Sequence, residues 1–367
     1  MIAKSPASRA STGAVAGFVF RLARESIPRT QAQLAEELTA DLATVQGWES
    51  GRRPLANVKA GTLSDLRRRL AALGAAASVL RLLDAAMDAD RIIGTALDSP
   101  GPVRGHPLAG WVHTRDTAHM IAWAVNGTTP PALASCPVPP RRGPAAQAPL
   151  LGSQERDAFF THLWEAAESA GGSGEGGALL HRQALYLTSY DRSPEASAWR
   201  ARALHSRRDV LAVRGWTPRW AEARSTTTAL ARLGDPQPLL DFIERSMADD
   251  DTAETANLNY WAYWLGVSSL PQANDGFMRS RELAGWEPPS LLRSLVDGLH
   301  QAPGYVDLYA HSLWALVTAH GWLPLVSPDL AVRLCERTGT LLDGCRISPR
   351  SRRELSEVHY VLRDHRR

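Results

Sequence analysis

The chain has 367 residues, 44% of them hydrophobic and 22% charged, with a formal net charge of +3 from 41 basic and 38 acidic side chains. That balance fits a soluble folded protein with room for two or three cores, and it sets up no field strong enough to draw the whole molecule onto nucleic acid or anionic lipid. Cys136, Cys335 and Cys345 are too scattered for a disulfide framework and fit a reducing cytoplasm; no apolar run nears the roughly 20 residues of a membrane span, and Arg21 and Arg24 interrupt any secretory signal core.

Residues 1–13 carry Ser, Ala, Thr and Arg without periodicity and read as a flexible arm. Residues 14–75 form a compact basic segment. From Met1 to Leu80 eleven Lys or Arg face six acids, a local +5 that exceeds the charge of the entire chain. Arginine supplies nearly all of the positive charge, since Lys4 and Lys59 are the only lysines. Its planar fork suits phosphate and carboxylate pairing wherever it clusters, although a GC-rich genome alone would produce the same bias.

Within this segment, residues 30–54 hold the densest local signal. Gln33 to Leu38 reads as a short amphipathic helix with Leu34, Ala35 and Leu38 inward. Thr39-Ala40 is a turn, and Asp41 is placed to cap a second helix, Leu42 to Trp48, whose Val45 and Trp48 face back toward Leu34 and Leu38. Ala35 is small where two helices cross closely, and Gly51 ends the second helix ahead of Arg52, Arg53 and Pro54.

Two short helices crossing at a tight turn make a helix-turn-helix, whose second member fits the major groove. The stretch resembles the Cro/CI-type, or xenobiotic response element, family of DNA-binding domains. Thr30-Gln31, Leu34-Ala35, Leu38 and Trp48-Glu49-Ser50-Gly51-Arg52-Arg53-Pro54 carry the resemblance, which covers about Phe18 to Leu73. Phe18 to Glu25 would be the family's first helix and Leu63 to Leu73 its last. The resemblance implies a lambda-repressor-like fold. Gln31 would touch a phosphate; Asp41 would open the reader helix; Leu42, Ala43, Thr44, Gln46 and Gly47 would lie at base edges; Arg52, Arg53 and Lys59 would follow the sugar-phosphate backbone. Leu42, Ala43 and Gly47 depart from the usual polar readers because they offer no bidentate pair. Contact with thymine methyls and hydrogen bonds from Thr44 and Gln46 remain, so specificity would lean on DNA shape and on paired half-sites. Trp48 reads as core, Glu49 as a local brace beside an arginine, and Arg67-Arg68-Arg69 as either a solvated face or phosphate contacts.

Residues 76–127 read as a helical connector, with Leu80, Leu82, Leu83, Met87, Ile92, Ile93 and Leu97 at three- and four-residue steps. Residues 128–150 hold seven prolines and read as an extended, unpaired linker. Beyond it, residues 151–367 repeat Gly-Trp-x-Pro at Gly215, Gly285 and Gly321, one double and one single step of about 35 residues. In each, glycine would take a left-handed helix end and proline would start the next helix. Ser193-Pro194-Glu195 and Ser327-Pro328-Asp329 look like matching starts capped by serine. A stack of helical hairpins follows, an alpha-solenoid-like domain or a compact bundle derived from one. The fold class is all-α.

In this region Asn257, Tyr260, Trp261 and Trp264 form one helical stripe. The plain reading is packing between helices. The sharper one has Asn257 and Asn259, with these aromatics, line a groove for a peptide or small polar ligand. Tetratricopeptide-type sensors fused to this class of DNA-binding domain are an architectural parallel, although their consensus is not matched. His106, His113, His119 and Asp116 fit no usual metal spacing, the glycines at 171–177 lack the Lys-Ser/Thr of a phosphate loop, and no nucleophile–base or paired-carboxylate arrangement emerges.

The expectation is therefore a cytoplasmic, non-enzymatic transcriptional regulator without cofactor or metal, nucleoid-associated when bound to DNA. Its partners would be a double-stranded operator, a second copy of itself and a peptide or small-molecule effector, with no membrane. The competing reading is a helical-repeat adaptor or antitoxin-like component that binds DNA only weakly.

Overall fold

The computed structural model describes residues 13–98, 105–134, 146–170, 174–193, 196–198, 201, 208–212, 214–232, 234–268, 270–280, 286–299, 305–344 and 347–364. All regular structure among them is helical. No helix among the described residues is long and apolar enough to cross a membrane. The expected arm at 1–12, Cys136, Cys345 and Gly285 lie outside the described residues.

The packing divides the chain into Met1–Asp191 and Arg192–Arg367. The first unit contains α1 (Ala14–Glu25), α2 (Gln31–Leu38), α3 (Leu42–Glu49), α4 (Ala60–Ala72), α5 (Leu83–Leu97), α6 (Arg115–Asn126), α7 (Ser153–Ser169) and α8 (Gly174–Thr188). Helix α1 packs on α3 and also on α5, which in turn packs on α6 and α7. The reason is visible in the side chains: Val19, Phe20, Ile92, Ile93, Met120, Ile121, Phe159 and Leu163 are all buried, so the presumed connector helps build one continuous core.

An acid in that core fixes the start of α1. The carboxylate of Asp90, on α5, accepts the backbone N–H groups of Val15 at 3.0 Å and Ala16 at 2.9 Å. A helix N-terminus leaves such donors unpaired, and its dipole favours negative charge there. Burial nevertheless pushes the Asp90 pKa from 3.8 up to about 7, against the opposing pull of those two hydrogen bonds. His106 and His113 are also buried. His106 Nδ1 accepts the Leu108 N–H at 3.1 Å, while the His113 backbone N–H donates to Gln183 Oε1 at 2.7 Å.

The proline-rich stretch is tied down at both ends. Residues 135–145 lie outside the described residues, but Pro131–Ala134 forms a helical turn with Leu133 buried. On the far side, Ala146 O accepts from Arg21 Nη2 at 2.7 Å, and Leu151 N–H donates to Ala124 O at 2.9 Å.

The second unit contains α9 (Trp220–Arg232), α10 (Gln237–Ser246), α11 (Asp251–Trp264), α12 (Pro288–Gly298), α13 (Val306–Ala319), α14 (Pro328–Asp343) and α15 (Pro349–Asp364). Units of a solenoid touch their neighbours in sequence. Helix α13 instead packs on α10, α11, α12 and α15, and its residues 307–313 are all buried. The Gly-Trp-x-Pro turns are not equivalent either. Gly215 has φ +60°, and a Cβ there would lie 2.5 Å from the Asp250 carboxylate that accepts the Trp216 N–H at 3.1 Å. Gly321 does not adopt a left-handed conformation. Pro288 and Pro328 do open α12 and α14, as their fixed φ favours. Ser327 occupies the cap position of α14 without a side-chain cap bond, whereas Ser193 Oγ accepts the Ala196 N–H at 3.2 Å.

Candidate nucleic-acid interface

Helix α2 starts where the sequence supplies a reciprocal cap. Thr30 Oγ1 accepts the Gln33 N–H at 3.2 Å, and Gln33 Oε1 accepts the Thr30 N–H at 2.9 Å. It ends at Thr39, which takes a left-handed conformation with φ +53°. Helix α3 begins two residues later with Asp41 at the cap position, but the exposed Asp41 side chain makes no cap bond, which corrects the expected one. Leu34, Ala35, Val45 and Trp48 are buried where the two helices meet. Trp48 sets its ring edge-on to Phe20 of α1, with centroids 5.8 Å apart.

Glycines decide how closely α1 approaches α3. A Cβ on Gly17 would lie 2.3 Å from the Trp48 carbonyl oxygen, and one on Gly51, at φ +74°, would lie 2.6 Å from the Gly13 carbonyl carbon. The two backbones therefore touch, and the C-terminal end of α3 is fixed against α1. Charge reinforces the contact. Glu49 is buried and receives a two-pronged hydrogen bond from Arg24, with Nη2 at 3.1 Å from Oε2 and Nε on Oε1. Gln31 Nε2 donates to the same Oε2 at 2.6 Å, so one carboxylate holds α1, α2 and α3 together. Gln31, expected at a phosphate, spends one of its two amide N–H donors on this brace.

The outward side of α3 carries Leu42, Ala43 and Gln46, all exposed, with Leu42 keeping 42% of its surface. Thr44 is half-buried. Gly47 is buried rather than presented at the surface, because the Arg53 stem covers it: a Cβ on Gly47 would lie 2.9 Å from Arg53 Cδ. Arg53 is exposed and donates from Nη1 to Thr44 Oγ1 at 2.6 Å. Arg52, also exposed, donates to Ser50 Oγ at 3.1 Å. Lys59 stands exposed at the start of α4. The Arg67-Arg68-Arg69 run is engaged within the protein: Arg67 pairs with Asp84, Arg68 with Asp65 at 3.0 Å, and Arg69 with the Glu37 carbonyl oxygen.

In the second unit, Asn257, Asn259, Tyr260, Trp261 and Trp264 are all buried, so among the described residues none of them is presented to an open groove. Their polar atoms serve the interior. Asn257 Nδ2 donates to Ser312 Oγ at 2.8 Å, and Asn257 Oδ1 accepts from Arg224 Nε at 3.2 Å. Asn259 donates to the Met278 and Ser280 carbonyl oxygens and accepts from Trp286 Nε1 at 2.9 Å. Trp261 Nε1 donates to Ser312 Oγ at 2.8 Å, and the Arg224 guanidinium lies 4.1 Å from the Tyr260 ring centroid. Buried polar groups are hydrogen-bonded for the reason seen here, that an unmet donor or acceptor is costly away from water.

Sequence reasoning missed Arg24, Gly13, Gly17 and Asp90. The two glycines, four residues apart on one helix face, were a legible sign of close helix approach, whereas Asp90 lies about 75 residues from the helix end it caps. Comparison with protein-family models, with curated proteins and with solved structures returns no match.

Proposed function

We propose that residues 14–75 are a Cro/CI-type helix-turn-helix module and that the protein is a sequence-specific, double-stranded DNA-binding transcriptional regulator. The observation that supports this reading is the division of labour on α3. One side is buried against α1 and α2 through Val45, Trp48 and Glu49, and the other leaves Leu42, Ala43 and Gln46 exposed, with Arg53 packed over Gly47 and the exposed cations Arg52 and Lys59 close by in the sequence. An eight-residue rod with that outer surface suits a major groove about 12 Å wide. Leu42 and Ala43 would meet thymine methyls, Gln46 a base edge, and Arg52 and Lys59 the phosphates. One such module buries little surface, so operator binding would use a homodimer reading two half-sites about 34–36 Å apart.

The test is selection of bound genomic fragments, followed by footprinting and titration at several salt concentrations. A palindromic footprint is expected, with affinity falling steeply as salt rises. Arg52→Ala and Lys59→Ala should each weaken binding on every sequence alike and lower the salt slope by about 1. A second reading, a protein-interaction adaptor, draws on a different observation: Trp322, Leu325, Val326 and Val332 are large apolar residues left exposed in the second unit. Weak, sequence-indifferent DNA binding would favour that adaptor.

A further inference from the structure

We infer that Arg53 is a base reader specific for guanine, not a backbone clamp; this rests on the DNA-binding reading above. Helix α3 itself carries no side chain able to make the two-pronged contact that distinguishes guanine: its outward residues are Leu42, Ala43 and Gln46. The structure places a guanidinium there from outside the helix. The backbone N–H of Arg53 donates to the Gly47 carbonyl oxygen at 3.0 Å, which folds the chain after α3 back along it. The side chain then runs across Gly47, where a Cβ would come within 2.9 Å of Cδ and 3.0 Å of Cγ. It ends with Nη1 donating to Thr44 Oγ1 at 2.6 Å.

Gly47 and Thr44 are two of the positions the family resemblance puts at base edges. Arg53 lies over the first and is anchored on the second, so it takes the place of the reader that α3 lacks. The anchoring uses Nη1. Among the described residues, Nε and Nη2 have no protein partner, and together they form one edge of the fork. Guanine presents two acceptors, O6 and N7, in the major groove, and a planar guanidinium edge matches both. Holding the fork on Thr44 reduces the freedom lost on binding. The same packing accounts for glycine at 47, since any Cβ would push the arginine stem away.

The experiment begins with the fragments selected by the full-length protein. Duplexes are titrated by fluorescence anisotropy with each half-site guanine replaced by adenine or by 7-deazaguanine, which lacks the N7 acceptor. For the wild type, one guanine per half-site should be preferred over adenine by about 5- to 150-fold. Deazaguanine at that position should cost a large part of that preference. Arg53→Ala should flatten discrimination at that position to within about twofold while leaving measurable salt-sensitive binding. Gly47→Ala, which displaces the stem without removing charge, should blunt the same preference, and Arg53→Lys should not restore it. Thermal melts monitor folding of each variant; Arg53 is exposed, and its loss leaves the core untouched. If Arg53→Ala weakens all duplexes equally and the guanine preference survives, Arg53 is a phosphate contact and the inference fails while the DNA-binding reading stands. If the wild type shows no sequence-dependent binding at all, both fail together.

Discussion

Helix α3 reads Leu-Ala-Thr-Val-Gln-Gly-Trp-Glu, mostly small and apolar; α11 ends Asn-Leu-Asn-Tyr-Trp-Ala-Tyr-Trp, rich in hydrogen-bonding groups. Composition alone would leave α11 the more exposed of the two. Burial runs the other way. Leu42 and Ala43 of α3 are exposed, whereas both asparagines of α11 are buried and fully occupied with interior partners. The lesson is about supply. One side of a helix stays exposed when its neighbours leave it uncovered, as they do along Leu42, Ala43 and Gln46 of α3, with the Arg53 stem packed over Gly47. A polar helix stays interior when its partners arrive in matching chemistry, as Ser312, Arg224 and Trp286 do for α11.

The contrast breaks most completely at the α1–α3 contact. Gly17→Ala drives a methyl group into the Trp48 carbonyl oxygen, and backbone cannot swing aside as a side chain can. A destabilisation of about 3 kcal/mol is expected. Urea unfolding followed by far-ultraviolet circular dichroism would register it, and the proposed DNA binding should fall with it because the α3 rod loses its backing. A Gly17→Ala protein with wild-type stability would show that the two backbones do not touch as described.

The reverse experiment belongs to α11. Asn257→Ala removes an acceptor from Arg224 and a donor from Ser312 in a fully buried setting, at a cost of about 2 kcal/mol. Stability should drop while the guanine preference attributed to Arg53 stays unchanged. Had Asn257 faced a ligand groove, the substitution would leave unfolding nearly unaltered.

These two sites also separate what could be read from sequence from what could not. Helices α2 and α3 were legible because their determinants are local: the apolar spacing of Leu34, Val45 and Trp48, and Gly51 at the helix end, act within a few residues, whereas the Thr30/Gln33 cap, not read from the sequence, starts α2 at Gln31 rather than Gln33. Helices α1 and α4 were placed by the family resemblance alone, and each begins a few residues earlier than it implies, at Ala14 and Ala60. The unit boundary at Asp191 was not legible. Prolines mark where helices stop, but the helices on either side of 128–150 share apolar partners, and only the packed chain reveals that. The Asn257 stripe failed similarly: periodicity identifies a face but is silent on whether another helix covers it. Arg53 lay in plain sight after Gly51, yet nothing in the spacing indicates that its stem turns back over Gly47.

Acidity offers a finer probe of the first unit. Asp90 binds its proton more tightly in the folded chain, with a pKa near 7 against 3.8, because burial outweighs the two N–H bonds. The stability associated with it is complete below about pH 4 and drains away as pH rises toward 7. His106 and His113, lowered by burial to about 4 and about 3, act in the opposite sense over pH 4 to 6.5 and mask the trend in the wild type. Comparison with Asp90→Asn exposes it. The penalty of that substitution should shrink between pH 4 and 7 by up to about 1.4 kcal/mol per pH unit. Urea unfolding of both proteins at pH 5 and pH 7.5 provides the check, and an equal gap at the two pH values would mean that the carboxyl titrates normally.

The smallest effect concerns the turn that sets α2 against α3. Thr39 is held at φ +53° and ψ +44°, where a β-branched side chain crowds the following carbonyl at a cost of about 1–2 kcal/mol. Glycine removes that crowding but gives the unfolded chain more freedom, which takes back roughly 0.5–1 kcal/mol. Thr39→Gly should therefore stabilise the first unit by about 0.5–1 kcal/mol, seen as a modest rise in the urea midpoint with an unchanged slope. Thr39 is exposed, and its side chain makes no hydrogen bond among the described residues, so nothing else is lost. In contrast to Gly17, this position tests the turn without touching the α3 surface, and DNA affinity should stay within twofold. A fall in affinity despite the gain in stability would show that the strained turn sets the angle at which α3 crosses α2.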